Sequence, residues 1–241
     1  MKRFIRANGR HRLLEGWPLV FTVLTTLAIL VGSVIELAPM FLVRGSVAPA
    51  PGVAPWTPLE VAGRDLYVRE GCVSCHSQMI RPFRDEAERY GAYTTAAETA
   101  YDTPFLWGSK RTGPDLARVG GKYPHLWHVR HMEDPRSTSP RSIMPPYPWL
   151  LTQRADYAGL PARLRALRAV GLPYTDAQIE NAAALAQAQA DRIAAEVAAQ
   201  GGPERLADKE IIALVAYLQR LGTMAAPTDA ITASVRVAAG R

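Results

Sequence analysis

The 241-residue sequence has only two cysteines, Cys72 and Cys75, and only five histidines. Two thiols cannot form the multi-bridge framework of a small disulfide-stabilised domain. They also cannot supply the second ligand pair of a four-cysteine zinc site. No internal repeat is present in the sequence, which argues against a solenoid. The two cysteines lie within four consecutive residues, so the chemistry of this pair is the first thing to explain.

The sequence has little basic excess outside its first residues. The formal net charge is +6, but residues 1–16 contribute +4 through five basic residues and one acidic residue, and residues 43–241 sum to only +3. A broad phosphate-binding surface is therefore not indicated, and no nucleic-acid partner is predicted. A short basic segment beside an apolar segment is typical of the cytoplasmic flank of a membrane span.

One long hydrophobic run follows the basic tail. Trp17 to Leu37 carries no charge before Glu36 and is long enough to cross the roughly 30 Å hydrocarbon core as a helix. We predict a transmembrane anchor over residues 17–42, with the amino terminus inside and the rest of the chain outside. Pro39 is expected to end the helix. A cleaved signal peptide is the alternative, but the run exceeds the ~7–15 apolar residues of such a segment.

Proline and glycine divide the rest of the chain. They indicate a tether over 43–56, a folded domain over 57–224 and a tail over 225–241. Within the domain a helical insertion is predicted at about 160–205. Residues 77–148 are rich in Pro, Gly, Trp and Tyr and are predicted to be dominated by loops. Loops of that length in a compact domain need something to fold around.

Three stretches of this domain predict helices, and the expected fold class is mainly α. One helix should begin after Thr57, which opens a capping box, and should run to about Glu70. A last helix should start near Asp208 and end at Gly222. Between them an Ala-rich scaffolding helix is predicted from Thr175 to Gln200. Its buried stripe should comprise Ile179, Ala182, Ala186, Ala190, Ile193 and Val197.

The residues Cys72-Val73-Ser74-Cys75-His76 form the attachment pattern of c-type haem. In this pattern the two thiols form thioethers to one edge of the porphyrin, and the adjacent histidine coordinates iron. The alternatives are a thioredoxin-like dithiol and half of a zinc site. A dithiol of that kind would follow a βαβ pattern, which is missing here, and zinc would need more ligands. One covalent haem c is therefore predicted.

The second axial ligand of the iron should come from a methionine. Met144 is favoured because it lies in a proline-rich, non-helical segment that can present the thioether inward, with Met132 or a histidine as the alternatives. Methionine and histidine together raise the reduction potential and suit electron transfer. Six-coordinate iron has no free position for a substrate, so a role in electron transfer is favoured over catalysis.

Two further groups of residues in the sequence are candidates for a specific role. Arg81 and Arg111 are candidate partners of the haem propionates, since cations pair well with carboxylates. His125, His128 and His131 recur every three residues. On a helix they would spread over a wide arc, and no carboxylate pattern joins them, so hydrogen-bonding or interface roles are favoured over a metal site.

Two resemblances to known families follow from longer motifs. Thr112-Gly113-Pro114-Asp115-Leu116 resembles the Gly-Pro-x-Leu segment of class I cytochromes c, in which the proline carbonyl accepts a hydrogen bond from the haem histidine. This implies that Pro114 orients His76. The sequence as a whole resembles the mono-haem subunit II of cbb3-type cytochrome c oxidases. The motifs that carry this resemblance are Gly63 to Cys72, His76 to Arg84, Glu88 to Gly91, Trp107 to Leu116, Arg118 to Gly121, Met144-Pro145 and Tyr147 to Leu150.

The second resemblance implies a place in a respiratory complex. Subunit II of that family has one amino-terminal span and a periplasmic haem domain at the bacterial inner membrane. It relays electrons from a di-haem cytochrome c subunit to a haem-copper catalytic subunit that reduces oxygen to water and pumps protons. The family's iron ligands carry over to His76 and Met144, and Ser109 resembles a position facing the catalytic subunit, near a calcium ion. The alternatives are the cytochrome subunit of nitric oxide reductase and a free-standing anchored cytochrome.

The sequence departs from the family pattern in two places. Arg141, Ile143 and Pro146 differ around Met144, and an Ala-rich stretch occupies 163–200. These departures affect local contacts of the haem domain.

Overall fold

The computed structural model describes residues 16–42 and 48–223. These two stretches belong to separate compact units. The described part is mainly helical and contains no strand, only an isolated bridge between Arg154 and Lys209. The predicted basic tail before residue 16, the start of the tether and the C-terminal tail lie outside the described residues.

The first unit contains one long apolar helix, α1, which spans Pro18–Leu42. Its segment Pro18–Pro39, 22 residues long, is apolar enough to cross a membrane, and none of its most apolar stretch is buried in the structure. This is consistent with a single-pass anchor. The prediction that Pro39 ends the helix is wrong, because Pro39 lies inside α1. A proline has no backbone N–H, so the helix loses one hydrogen bond at this residue. Because Pro39 lies close to the end of α1, the loss affects only the last turns.

The second unit is built around two crossing helices, α2 at Pro58–Arg69 and α9 at Glu210–Arg220. Thr57 and Glu60 form the predicted capping box at the start of α2, and Glu70 caps its end. Almost all of α9 is buried, from Glu210 to Leu218. The helical period in the sequence predicts a buried stripe on each of these helices, and the residues of both stripes are buried: Leu59, Ala62, Gly63, Leu66 and Tyr67 in the first, and Ile211, Leu214, Val215, Leu218 and Leu221 in the last. For α9 burial extends around the whole helix.

The two helices cross at Gly63. A Cβ atom there would meet the backbone of Ala213 and come within 2.7 Å of Tyr217 Cβ. Because a helix backbone cannot move aside as a flexible side chain can, glycine is required for this approach. Near the crossing the rings of Tyr67 and Tyr217 pack at a centroid distance of 5.4 Å.

The substitution Gly63→Ala should therefore push α2 and α9 apart. We expect a loss of about 2–3 kcal/mol in stability, or about 5 °C in melting temperature, which are typical of overpacking in a domain of this size. Thermal unfolding of the full chain in detergent, followed by circular dichroism, would measure it. Gly108→Ala is the matched control, since within 4 Å its new Cβ would meet no described atom except Val73 O, at 3.9 Å. Equal melting temperatures for wild type and Gly63→Ala would contradict a tight crossing.

Short helices interrupt the segment that was predicted to be dominated by loops. They are α3 at Arg84–Tyr90, α4 at His125–Glu133 and α5 at Pro135–Thr138, and a 3-10 turn follows at Pro148–Leu151. The prediction missed α4 because aromatic and histidine side chains have weak helix propensity. Its buried side facing the core comprises Leu126, His128, Val129 and Met132.

The insertion contains three helices, α6 at Leu160–Ala169, α7 at Asp176–Glu180 and α8 at Ala182–Ala199. The single helix predicted from Thr175 to Gln200 is therefore divided at Asn181. At this residue φ is −92° and ψ is 9°, away from the values of an α-helix, and the side-chain amide donates to Ala177 O at 2.9 Å. The predicted small-residue stripe is confirmed as buried. Thr57 Oγ1 donates to Gln189 Oε1 at 2.8 Å, which links α8 to the start of α2.

Candidate haem site

The Cys-x-x-Cys-His motif follows α2 directly. Gly71 has a φ of 72°, a left-handed conformation that favours glycine and turns the chain out of the helix. Cys72 then opens a 3-10 turn, and its carbonyl accepts hydrogen bonds from the backbone N–H of Cys75 at 3.1 Å and of His76 at 2.9 Å. This compact turn brings both sulfurs and the imidazole to one cavity.

The His76 ring is held in one orientation. Its Nδ1 lies 2.8 Å from the carbonyl oxygen of Pro114. A backbone carbonyl only accepts, so Nδ1–H is the donor and Nε2 is left with a lone pair for a metal ion. Gly113 packs against the ring so closely that a Cβ there would come within 2.7 Å of His76 Nδ1. A glycine before Pro114 is thus needed for the close approach of the two segments.

The cavity at this turn has a volume of about 900 Å³. It is large and mostly apolar, and contains a few polar groups, as cofactor sites usually do. Its wall contains two thiols, two thioethers and three imidazoles, those of His76, His128 and His131, which is a suitable donor set for an iron porphyrin. The residues present therefore fit a haem. Apolar side chains of its wall include Leu116, Val119, Ile143, Pro145, Leu214 and Leu218.

Both methionines considered as the sixth ligand line this cavity. Met144 is partly buried and packs against the core, and its backbone N–H donates to Ser142 Oγ at 3.2 Å. Met132 lies on α4 with 8% of its surface exposed. The N–H of Tyr147 donates to Met132 O at 2.7 Å, which ties the Met144 segment to α4. The assignment of Met144 as ligand stays a prediction.

Arg81 and Arg111 line a smaller neighbouring cavity, which shares Arg89, Tyr90 and Thr112 to Pro114 with the haem cavity. Their role as partners of the propionates stays a prediction. Arg111 donates to Glu86 Oε2 at 2.7 Å, and Arg81 donates to Glu86 Oε1 at 2.5 Å. The hydrogen bond from Arg111, together with those from Arg81, lowers the pKa of Glu86 to about 2. The cations that line the haem cavity are Arg89, Lys122 and Arg141.

The three histidines of α4 have different neighbours and do not converge. His125 Nε2 lies 3.0 Å from Glu196, whereas His131 stacks on Trp127 at a centroid distance of 4.5 Å. His128 is buried, which lowers its pKa to about 4 and keeps the ring neutral at pH 7. In the described part of the chain, no three His, Cys, Asp or Glu side chains form a group that could hold a metal ion.

The Cys72 thiol lacks the properties of a reactive dithiol. Burial, with a smaller contribution from Glu70, raises its pKa to about 11. Redox-active cysteines have lowered pKa values, because the thiolate is the nucleophile. The thioredoxin-like alternative is therefore disfavoured by the surroundings of Cys72.

Several residues at the site were not identified from the sequence as site residues. Tyr67 was assigned only to the buried stripe of α2, but its hydroxyl also donates to His76 O at 3.2 Å, and its ring lines the cavity. His128 and the stacked pair Tyr123 and Trp127 line it as well. A correct prediction of α4 from the sequence would have been needed to indicate these three residues. Ser109 is exposed, and the calcium ion predicted near it is not supported by any feature of the described residues.

The helical frame, the motif turn after α2 and the apolar cavity are typical of a c-type cytochrome domain. A family model described as cytochrome c oxidase, mono-heme subunit/FixO, matches residues 11–225. The chain belongs to this family, which confirms the resemblance found in the sequence and implies one haem c. A comparison with curated proteins gives no match.

Proposed function

We propose that the chain is the electron-transfer subunit of a cbb3-type terminal oxidase. In this proposal one haem c is bonded to Cys72 and Cys75, and its iron is ligated by His76 and Met144. The observation that carries the proposal is a single cavity lined by all four side chains, in a member of a mono-heme oxidase family. Bound haem c would supply a one-electron redox couple.

The protein's own groups would hold and tune this cofactor. Pro114 O fixes the tautomer and orientation of His76 through the 2.8 Å contact, which also raises the basicity of the ligating nitrogen. The apolar wall excludes water and lowers the local dielectric constant, two of the factors that set a haem potential. Two axial ligands from the protein would leave no position for oxygen. Oxygen reduction and proton pumping would then belong to a separate catalytic subunit.

Exposed aromatic side chains next to the motif turn support assembly with other subunits. Phe105 and Trp107 stack at a centroid distance of 5.0 Å while 39% and 36% of their surfaces remain exposed. Gly108, the next residue, lies beside the carbonyl of Val73 within the motif. Aromatic side chains and arginines are enriched at protein interfaces. We propose that electrons enter from a di-haem cytochrome subunit and leave to the haem-copper subunit, outside the membrane, with α1 as the anchor.

Exchange of the span should separate assembly from cofactor binding. We expect that a chain whose segment Trp17 to Leu37 is replaced by an unrelated transmembrane helix still carries haem with a normal spectrum. Its co-purification with the catalytic subunit should fall severalfold, because a helix with no buried residues in its own unit has its apolar surface free for other spans. Both the co-purification and the haem content can be measured after gentle purification from membranes. Mass spectrometry identifies the partners, and spectroscopy identifies the haem types.

Three results would speak against parts of this proposal. If the chain with the exchanged span co-purified fully and supported normal oxygen consumption, the surface that recognises the catalytic subunit would lie in the haem domain. Wild-type protein that co-purifies without b-type haem and copper would argue for a free-standing cytochrome. Partners with non-haem iron and nitric oxide reduction would instead indicate a nitric oxide reductase.

A further inference from the structure

The segment after the haem motif runs alongside the segment that contains Pro114. The N–H of Gly113 donates to Cys75 O at 3.0 Å, and the N–H of Leu116 donates to Ser77 O at 2.9 Å. These two backbone hydrogen bonds flank the contact between His76 and Pro114 on both sides. The position of the imidazole therefore depends on how firmly the two segments are joined.

The carboxylate of Asp115 forms a third connection between the segment after the haem motif and the segment that contains Pro114. Its Oδ2 accepts a hydrogen bond from Ser77 Oγ at 2.6 Å and another from the N–H of Met79 at 3.0 Å. Its Oδ1 accepts from the N–H of Ala117 at 2.8 Å. The side chain is fully buried. A buried carboxylate with three short hydrogen bonds is strongly restrained, because leaving any of these groups unpaired is costly.

Arg111 partly compensates the charge of this carboxylate. Its Nη2 lies 3.5 Å from Asp115 Oδ2, and its Nε donates to Ser77 Oγ at 2.8 Å. The same guanidinium is shared with Glu86. Asp115 and Ser77 directly follow Pro114 and His76 in the chain. The contacts of Asp115, Ser77 and Arg111 therefore restrain the chain directly beside Pro114 and His76, the two residues that set the orientation of the imidazole.

We propose that Asp115 is a positioning residue for the haem iron ligand. It holds the His76 Nδ1–H against Pro114 O and so sets the donor strength of the imidazole. This inference rests on the proposed role of His76 as an iron ligand. A firm hydrogen bond from Nδ1 makes the imidazole a stronger donor and favours ferric iron. A buried negative charge nearby acts in the same direction. Loss of Asp115 should therefore raise the midpoint potential.

The test compares variants of the haem-loaded full chain in detergent. Asp115→Asn keeps the volume and part of the hydrogen bonding, Asp115→Ala removes both, and Ser77→Ala removes one donor without a change of charge. Proton exchange of His76 Nδ1–H in the reduced protein is followed by NMR, and the midpoint potential by titration. We expect about tenfold faster exchange in Asp115→Ala, a smaller increase in Ser77→Ala, and raised potentials in both Asp115 variants.

A matched control separates positioning from general effects. Asp102→Asn changes another buried carboxylate, which accepts a hydrogen bond from Trp56 and has no contact with Asp115 or Arg111. It should not change the exchange of His76 Nδ1–H by more than about twofold. Unchanged exchange in the Asp115 variants, or an equal change in the control, would overturn the inference alone. A wild-type chain without covalent haem would overturn it together with the proposed function.

Discussion

Replacement of both Cys72 and Cys75 by alanine should leave a chain that retains no haem after denaturation. The two thioethers are the covalent bonds expected from this motif, and His76 by itself would hold the cofactor only through its iron. Because Cys72 and Cys75 line one cavity and start one tight turn, both can reach the same porphyrin edge. A pyridine haemochrome spectrum of denatured protein should give one c-type haem per wild-type chain and none for the double variant.

Single substitutions separate the loss of one thioether from other changes in the turn. Cys75→Ala should leave at most one thioether, which shifts the haemochrome maximum and lowers the yield of mature protein. Ser74→Ala changes the same turn without loss of a thiol and should retain full haem. Haem that acidified acetone extracts from the wild-type chain would show that attachment is not covalent, and would return the two cysteines to the dithiol or zinc alternatives.

The second large effect is expected at Met144, the residue predicted to be the second ligand of the iron. Met144→His should lower the midpoint potential by more than about 0.1 V, within the ~0.8 V range over which axial ligands act. The reason is that a thioether stabilises ferrous iron relative to an imidazole. The sulfur-to-iron absorption near the red end of the spectrum should disappear as well. Potentiometric titration and ferric absorption spectra of the same samples measure both changes.

Met132→Leu is the matched control for this ligand. Met132 lines the same cavity and is more deeply buried than Met144, but it belongs to α4. The control should keep the red absorption and a potential close to that of the wild type. If Met132→Leu loses the band and Met144→His keeps it, the ligand would be reassigned to Met132, and the Met144 segment would only cover the cavity.

Local signals in the sequence were sufficient to predict α2 and α9, the helices at the two ends of the haem domain. Thr57 and Glu60 satisfy each other's backbone groups within one turn, so the start of α2 depends on near neighbours only. The buried stripe of α9 has the helical period throughout. The family was also recognisable, because each of its motifs between Gly63 and Leu150 is a short run of consecutive residues.

Other elements depended on contacts that the sequence does not display. The break at Asn181 is a change in the backbone conformation of a single residue, φ −92° and ψ 9°, within a strongly helical composition. Helix α4 forms from residues of weak propensity because its apolar side is buried. Its first turn is capped by Gln200, the residue directly after α8, whose Oε1 accepts from the Leu126 N–H at 3.1 Å. Tertiary packing routinely overrides propensity in this way.

The sequence by itself determined the chemistry of the site, since the order Cys72, Cys75 and His76 is a property of five consecutive residues. It also determined the apolar run of α1, which depends on composition alone. Only the tertiary structure decided that Arg111 pairs with Glu86, and that Asp115 joins the segments of His76 and Pro114. Such pairings depend on distances between residues far apart in the chain, and those distances arise only when α2 and α9 cross.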